Sequence, residues 1–260
     1  MRTLIASVDS IGRALAQALF FDRVCPAATI ESVACDDLDE LTLSAIAPLA
    51  WAANQAPSED LMTLRRIQEV LATCRISHIT LISTCAVYPY PSAVDEATPI
   101  TPEALPPYAR HRYDLERWCS NRWETTVVRL PRVFGGTHRS PSRNPTRDLA
   151  RLAASNPAST SQHYDLARLA SDLSGVRRRE LRLVNLVTPP ITHARVLADL
   201  LDYPPLPGAD AVPPVTRDVR SQHAESLAGL PRYLETEAES LARIAAYLRS
   251  ATPPSAAERR

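Results

Sequence analysis

The apolar residues of this chain fall into short compact runs separated by stretches with helical spacing. Residues 2–6 form one such run, and beyond it Ile11, Leu15, Ala18 and Leu19 recur at helical intervals, which predicts a strand followed by a helix. A second run covers 29–34 and ends at Cys35-Asp36-Asp37, and a third, 49–53, leads into a helical segment over 59–73. Residues 78–83 are rich in β-branched side chains and read as a fourth strand, 125–130 as a fifth, with a helix over 108–122 between them. Strands alternating with helices predict an α/β fold, a doubly wound parallel sheet covered on both faces with its ligand at the carboxyl ends of the strands.

Past Gly135-Gly136 the pattern changes. Residues 137–160 are rich in Arg, Ser, Pro and Asn, followed by short helices, one strand over 181–187, a Pro-rich stretch over 204–214 and a helical segment over 225–248. This predicts a core over 1–136, a small C-terminal α/β lobe over 137–250 that covers the ligand edge and returns elements to the core, and a frayed tail over 251–260. The lobe offers too little apolar sequence for a core of its own.

Charge and composition narrow the partners. The 260 residues carry 29 basic and 29 acidic side chains, whereas a nucleic-acid backbone requires clustered positive charge. The only basic triplet, Arg177 to Arg179, reads as a solvated helix end. No window holds 18 consecutive apolar residues and residues 1–10 lack a signal peptide's apolar stretch, so a cytoplasmic protein without a membrane span is expected. Five cysteines, at 25, 35, 74, 85 and 119, contain no Cys-x-x-Cys pair and are expected as buried thiols. The six histidines form no metal-spaced pair and there is no Gly-x-Ser-x-Gly turn, so no metal is expected. Two compositional features bear on function: all 29 basic residues are arginine, and of six glycines only Gly12 precedes residue 135.

Four ordered motifs occupy about 55 residues: Ile82-Ser-Thr-Cys-Ala-Val-Tyr88, Asp95-Glu96-Ala-Thr-Pro99, Pro107-Tyr108-Ala-Arg-His-Arg112 and Val128-Arg-Leu-Pro-Arg-Val-Phe-Gly135. Their order and spacing resemble the extended short-chain dehydrogenase/reductases, the nucleotide-sugar epimerase and dehydratase superfamily. The resemblance extends to the first strand and helix, to Tyr164-Asp165-Leu166, and to the closing segments Arg217-Asp-Val-Arg-Ser221 and Leu227-Ala-Gly-Leu-Pro231. It implies a Rossmann-like sheet, NAD or NADP as cofactor with NAD preferred, a nucleotide sugar or related polar carbonyl or hydroxyl compound as substrate, and a homodimer to which Leu115, Trp118 and Trp123 would contribute.

By position, the resemblance makes Thr84, Tyr108 and Arg112 the catalytic set, with Arg112 standing where the family has lysine. The chemistry stands independently of the name. A phenol with pKa near 10 is a poor base at neutral pH, a fixed cation beside it favours phenolate, and residues four apart on a helix share a face. Guanidinium keeps the charge but is larger and planar. The family's phosphate-loop glycines fall on Ala6, Asp9 and Gly12, so two of the three are replaced, and Ile11 and Arg13 flank the survivor. Asp9 puts a carboxylate where backbone should approach a pyrophosphate. One repulsive pair at roughly 5 Å, with an effective dielectric near 20, costs about 3 kcal/mol. Asp9 or Ser10 is also a good helix N-cap, which would satisfy the same N–H groups from within.

Asp36, 24 residues after Gly12, is the candidate for the adenine ribose hydroxyls, and Ala52 and Ala53 are the small residues expected beside the cofactor. Arg139, Arg143, Arg147, Arg217 and Arg220 are candidates for a substrate diphosphate, since guanidinium suits its oxygens. Two readings therefore stand side by side: an NAD(P)-dependent enzyme of this family, and a catalytically degenerate relative that keeps the fold for binding, regulation or subunit pairing.

Overall fold

The computed structural model describes residues 1–6, 10–44, 50–135, 154–201 and 206–251. The first half runs β1 (Arg2–Ala6), α1 (Ser10–Ala18), β2 (Arg23–Pro26), a 3₁₀ stretch (Ala27–Val33), β3 (Asp37–Ser44), α2 (Ala50–Gln55), α3 (Pro57–Leu71), β4 (Arg75–Thr84), β5 (Ser92–Val94), α4 (Pro107–Ser120), β6 (Glu124–Leu130) and β7 (Arg132–Phe134). The second half runs β8 (Thr160–Ser161), β9 (His163–Asp165), α5 (Leu169–Arg178), β10 (Leu183–Asn185), β11 (Ile191–Thr192), α6 (His193–Leu201), β12 (Asp218–Val219), α7 (Ala224–Ala228) and α8 (Glu237–Ala251).

Six strands form one sheet in the order β10-β6-β4-β3-β1-β2, and every pairing is parallel. This is the Rossmann-like α/β arrangement, with β10 arriving from the second half to lie beside β6. Helices α3 and α4 cover one face, where Leu64, Ile67, Leu71 and Leu115 meet Leu41, Leu43, Ile79 and Leu81. Helices α1 and α5 cover the other, where Leu15, Leu169, Leu173 and Val176 meet Leu4, Ile82, Val128 and Val184. The chain leaves β1 for β2 on one side and then crosses to β3 on the other, so the order reverses at β1. Ligands of open α/β sheets bind at the carboxyl ends beside such a reversal, here at Ala6 of β1 and Ser44 of β3.

The structure corrects several expected elements. The run 29–34 is not a strand: the second strand is β2, and Ile30 and Val33, spaced by three, are both buried from the 3₁₀ stretch that follows it. The next strand, β3, begins at Asp37, and its buried Leu38, Leu41 and Leu43 share their sequence with acids exposed at the sheet's amino edge. Residues 49–53 do not form a strand either, since α2 starts at Ala50. The segment 225–248 is two helices, α7 ending at Ala228 with Gly229 as its C-cap at φ +73°, and α8 starting at Glu237. Around α6 and α8, the buried Ile191, Val196, Leu197, Leu241 and Ile244 gather with Phe134 of β7 into a separate cluster.

One sheet row is polar. Arg2, Glu40, His78 and Glu124 lie in register on β1, β3, β4 and β6, flooring a groove of about 710 Å³ against α5. Its charges close on one another, Arg177 with Glu40 and Arg182 with Glu124, and His78 bonds Thr126 at 3.1 Å. None of the groove's lining residues belongs to the expected site.

Candidate active site

Strand β4 ends at Thr84, and a 3₁₀ turn, Cys85–Val87, follows. The Thr84 Oγ1 accepts the Ala86 N–H at 3.1 Å and caps that turn. A hydroxyl used in this way still has its own O–H to donate. Helix α4 begins with Pro106 as N-cap and Pro107 as first residue, a position where a missing N–H costs nothing. Tyr108 is next, and its N–H, one of the donors a helix start leaves over, is taken by the Asn54 Oδ1 of α2 at 2.9 Å. Both residues thus sit at ends of elements that meet, since α4 packs on β4 and on the turn after it.

Arg112 follows Tyr108 by one helical turn and is buried. Its Cζ lies 4.4 Å from the centroid of the Tyr108 ring, a cation–π stack. Its Nη1 donates to the buried Asp60 of α3, and the Nδ1 of His111 bonds the same carboxylate oxygen at 2.7 Å. Burial alone would raise the Asp60 carboxyl, but the hydrogen bonds from Arg112 and His111 outweigh it and hold it below the usual carboxylate range. Asp60, His111 and Asn54 were not legible as site residues. The only signal for Asp60 is an acid on the apolar face of α3, which packs Leu64, Ile67 and Leu71 into the core.

A second buried network lies alongside. Glu116 of α4 accepts from Ser83 and forms a two-pronged pair with Arg129 of β6, Nη2 at 2.6 Å and Nε at 3.1 Å. Arg129 also donates to the Tyr88 hydroxyl at 2.8 Å, and Asn185 Nδ2 meets that hydroxyl at 3.0 Å. Burial pushes the Tyr88 phenol up to about 12 against the pull of Arg129. Glu96, from the second motif, accepts the Asn185 N–H at 2.7 Å, the Ser221 hydroxyl at 2.8 Å and the Gln222 N–H at 2.8 Å. These bonds tie the closing segment to the sheet.

The remaining expected residues are placed less uniformly. Ala6 and Gly12 are buried at the carboxyl end of β1 and in α1, Ile11 packs on the α1 side of the core, and Arg13 is half-buried. Asp9, Arg139, Arg143 and Arg147 lie outside the described residues. Asp36 does not follow the second strand: it precedes β3 at the amino edge, paired with Arg23 at 2.7 Å. Ala52 and Ala53 belong to α2 and close no strand. Arg220 is held by Asp218 at 2.7 Å, whereas Arg217, exposed, forms no ion pair among the described residues. Arg217 and Arg132 stand near His193, whose imidazole burial first and then these cations hold down at about 4. Burial, then Arg132 and His193, hold the buried His163 at about 3.

Four of the cysteines are buried and Cys35 is exposed, and all five are free. Leu115 is buried in the core, and Trp118 and Trp123 pack on it and edge-to-face on each other at 5.0 Å. Leu115 is thus a core residue, while Trp118 and Trp123 remain partly exposed. Among the described residues no group of three His, Cys, Asp or Glu is placed to hold a metal, and no helix is long and apolar enough to cross a membrane.

As for a dinucleotide, the residues fit at one end of the crevice. The strand order, the small residues Ala6 and Gly12, and the hydroxyls of Thr84 and Tyr108 suit a cofactor lying across the carboxyl edge. Among the described residues, β2 ends at Pro26 and is followed by Ala27 and Ala28, so no acid stands directly after it.

A sequence model of the NAD dependent epimerase/dehydratase family matches residues 22–187, more than half of the chain. Among solved structures, MoeE5 in complex with UDP-glucose and NAD superposes with a TM-score of 0.70 at 15% identity, covering 96% of this chain and 99% of that one. UDP-N-acetylglucosamine 4-epimerase from Methanobrevibacter ruminantium M1, in complex with UDP-N-acetylmuramic acid, gives 0.69 at 12% identity with the same coverage. RMD from Pseudomonas aeruginosa complexed with NADPH gives 0.62 at 17%, covering 96% and 100%. At these identities the likeness is one of fold. No curated protein matches the sequence significantly.

Proposed function

Because the chain belongs to the NAD dependent epimerase/dehydratase family, we propose that it is an NAD(P)-dependent enzyme acting on a nucleotide sugar or a related polar carbonyl or hydroxyl compound. The observation that carries this reading is the packing of α4, with Tyr108 in its first turn, on β4 and on the turn that follows Thr84 at the carboxyl end of that strand. A nicotinamide cofactor would supply the acceptor and donor of hydride. The chain's own residues would do the rest. Tyr108 moves the proton at the reacting oxygen, Thr84 donates its free O–H to that oxygen and orients it, and Arg112 lies on the tyrosine ring. Gly12, Ala6, Ile11 and Arg13 would border the cofactor's pyrophosphate. Arg217, with its guanidinium unpaired among the described residues, is a better candidate for substrate phosphate than Arg220, which Asp218 occupies.

A second reading, a degenerate relative that binds without turnover, is favoured by one observation: Arg112, the cation lying over the Tyr108 ring, is buried against the Asp60 carboxylate. Calorimetric titration with NAD(H) and NADP(H) separates the two at the first step. Saturable binding followed by Tyr108-dependent turnover of a nucleotide sugar is the expected result. No binding at millimolar cofactor sinks the enzyme reading.

A further inference from the structure

If Tyr108 is the acid/base, the charge next to it decides how readily it ionises. Arg112 lies against its ring, yet the guanidinium does not act alone, because Asp60 and His111 share its surroundings. Asp60 comes from α3, 52 residues away in sequence, and its side chain is 3% exposed against 1% for Arg112. With Asp60 ionised it can only accept, so the Nδ1 of His111 carries the hydrogen of their bond. His111 and Arg112, three and four residues after Tyr108 on α4, therefore share one buried carboxylate. Among the described residues on the other elements packed against α4, Arg129 closes on Glu116, burial pushes the Cys85 thiol up, Glu103 of the turn Pro102–Ala104 is exposed, and Asn54 and Thr84 carry no charge.

A cation touching an anion presents a dipole to its neighbours, and its field falls off faster than that of a lone charge. We infer that Asp60 is a positioning residue that holds Arg112 over the Tyr108 ring and offsets its charge, setting the pH at which Tyr108 ionises. The arginine then packs against the ring more than it promotes phenolate. Asp60 is thereby a brake on the base form of Tyr108, and its removal strengthens the positive charge that Arg112 presents to the ring. The inference rests on the acid/base reading of Tyr108 for its meaning in function, but its test needs neither cofactor nor substrate.

The test is a pH titration of the whole chain labelled with ¹³C at tyrosine Cζ, with the Tyr108 resonance assigned by its loss in Tyr108→Phe. Asp60→Asn, nearly isosteric, should lower the midpoint of Tyr108 by about one pH unit, within the range that a nearby charge commands. The double variant Asp60→Asn/Arg112→Gln, which buries no charge, should titrate close to the wild type. It stands in for the single variant if that one does not fold. An unchanged midpoint in Asp60→Asn overturns the inference, as does a double variant titrating a full pH unit or more above wild type, which would mean that Arg112 acts on Tyr108 in spite of Asp60. Turnover is read separately: a shifted midpoint in a chain that binds no cofactor leaves the electrostatic inference standing and removes the enzyme reading.

Discussion

Arg112 stacks on the ring of Tyr108 at 4.4 Å, one helical turn along α4, and this geometry separates two roles that a compact ammonium would combine. The guanidinium lies over the ring while its Nη1 donates to Asp60. The substitution of lysine by arginine changes what the cation touches as well as its size.

Under the proposed mechanism, Tyr108→Phe should reduce turnover about 10²- to 10⁴-fold, the usual span for a general acid/base, with cofactor affinity unchanged. Thr84→Val should also lose activity, and because the Ala86 N–H loses its acceptor it should cost about 1 kcal/mol of stability as well. Steady-state kinetics and urea denaturation check the two effects independently.

Asp36→Asn should leave NAD(H) affinity untouched. The residue sits at the amino edge in a partly exposed pair with Arg23, and such pairs contribute about 0–1 kcal/mol. A calorimetric titration of this variant that showed a tenfold weaker NAD would contradict the placement.

Arg129→Ala should destabilise the fold by about 3–5 kcal/mol, because it strands a buried Glu116 carboxylate. It also takes a donor from Tyr88. A denaturation midpoint within error of wild type would show that the network is relieved by water or by movement.

Stability should fall in acid. His163 is buried and held at about 3, below its unfolded value near 6.5. Between those two values the unfolded chain binds the extra proton and the folded chain does not, so nothing is lost above about pH 6.5 and the loss grows as pH drops toward 3. At pH 5 it amounts to about 2 kcal/mol. His193, held at about 4 but only half-buried, adds a smaller loss in the same direction. His163→Gln should flatten the slope of unfolding free energy against pH between 6.5 and 4.

Parts of this molecule were legible residue by residue. β1 has the predicted limits, and α4, β4 and β6 fall within a few residues of theirs, because each has one dominant apolar period and the motifs lie on them. The strand β3 was missed since its alternation is interrupted by Asp37, Asp39 and Glu40, acids that solvent accepts at a sheet edge. The run 29–34 misled because Ile30 and Val33 are apolar at a spacing that a 3₁₀ turn buries as well as a strand would.

The sequence by itself determined the class of fold, the order of the motifs, and, through its lack of lysine, that any cation four residues beyond Tyr108 must be Arg112. Only the tertiary structure decided where Asp36 stands. β3 has eight residues, so its ends lie about 25 Å apart, and a correct spacing from Gly12 placed the acid at the wrong end of the sheet. Only packing, likewise, brought Asp60 under Arg112, since contact between α3 and α4 depends on which faces their apolar residues bury together. Local periodicity records which side of an element is buried, but not which element from elsewhere in the chain it is buried against.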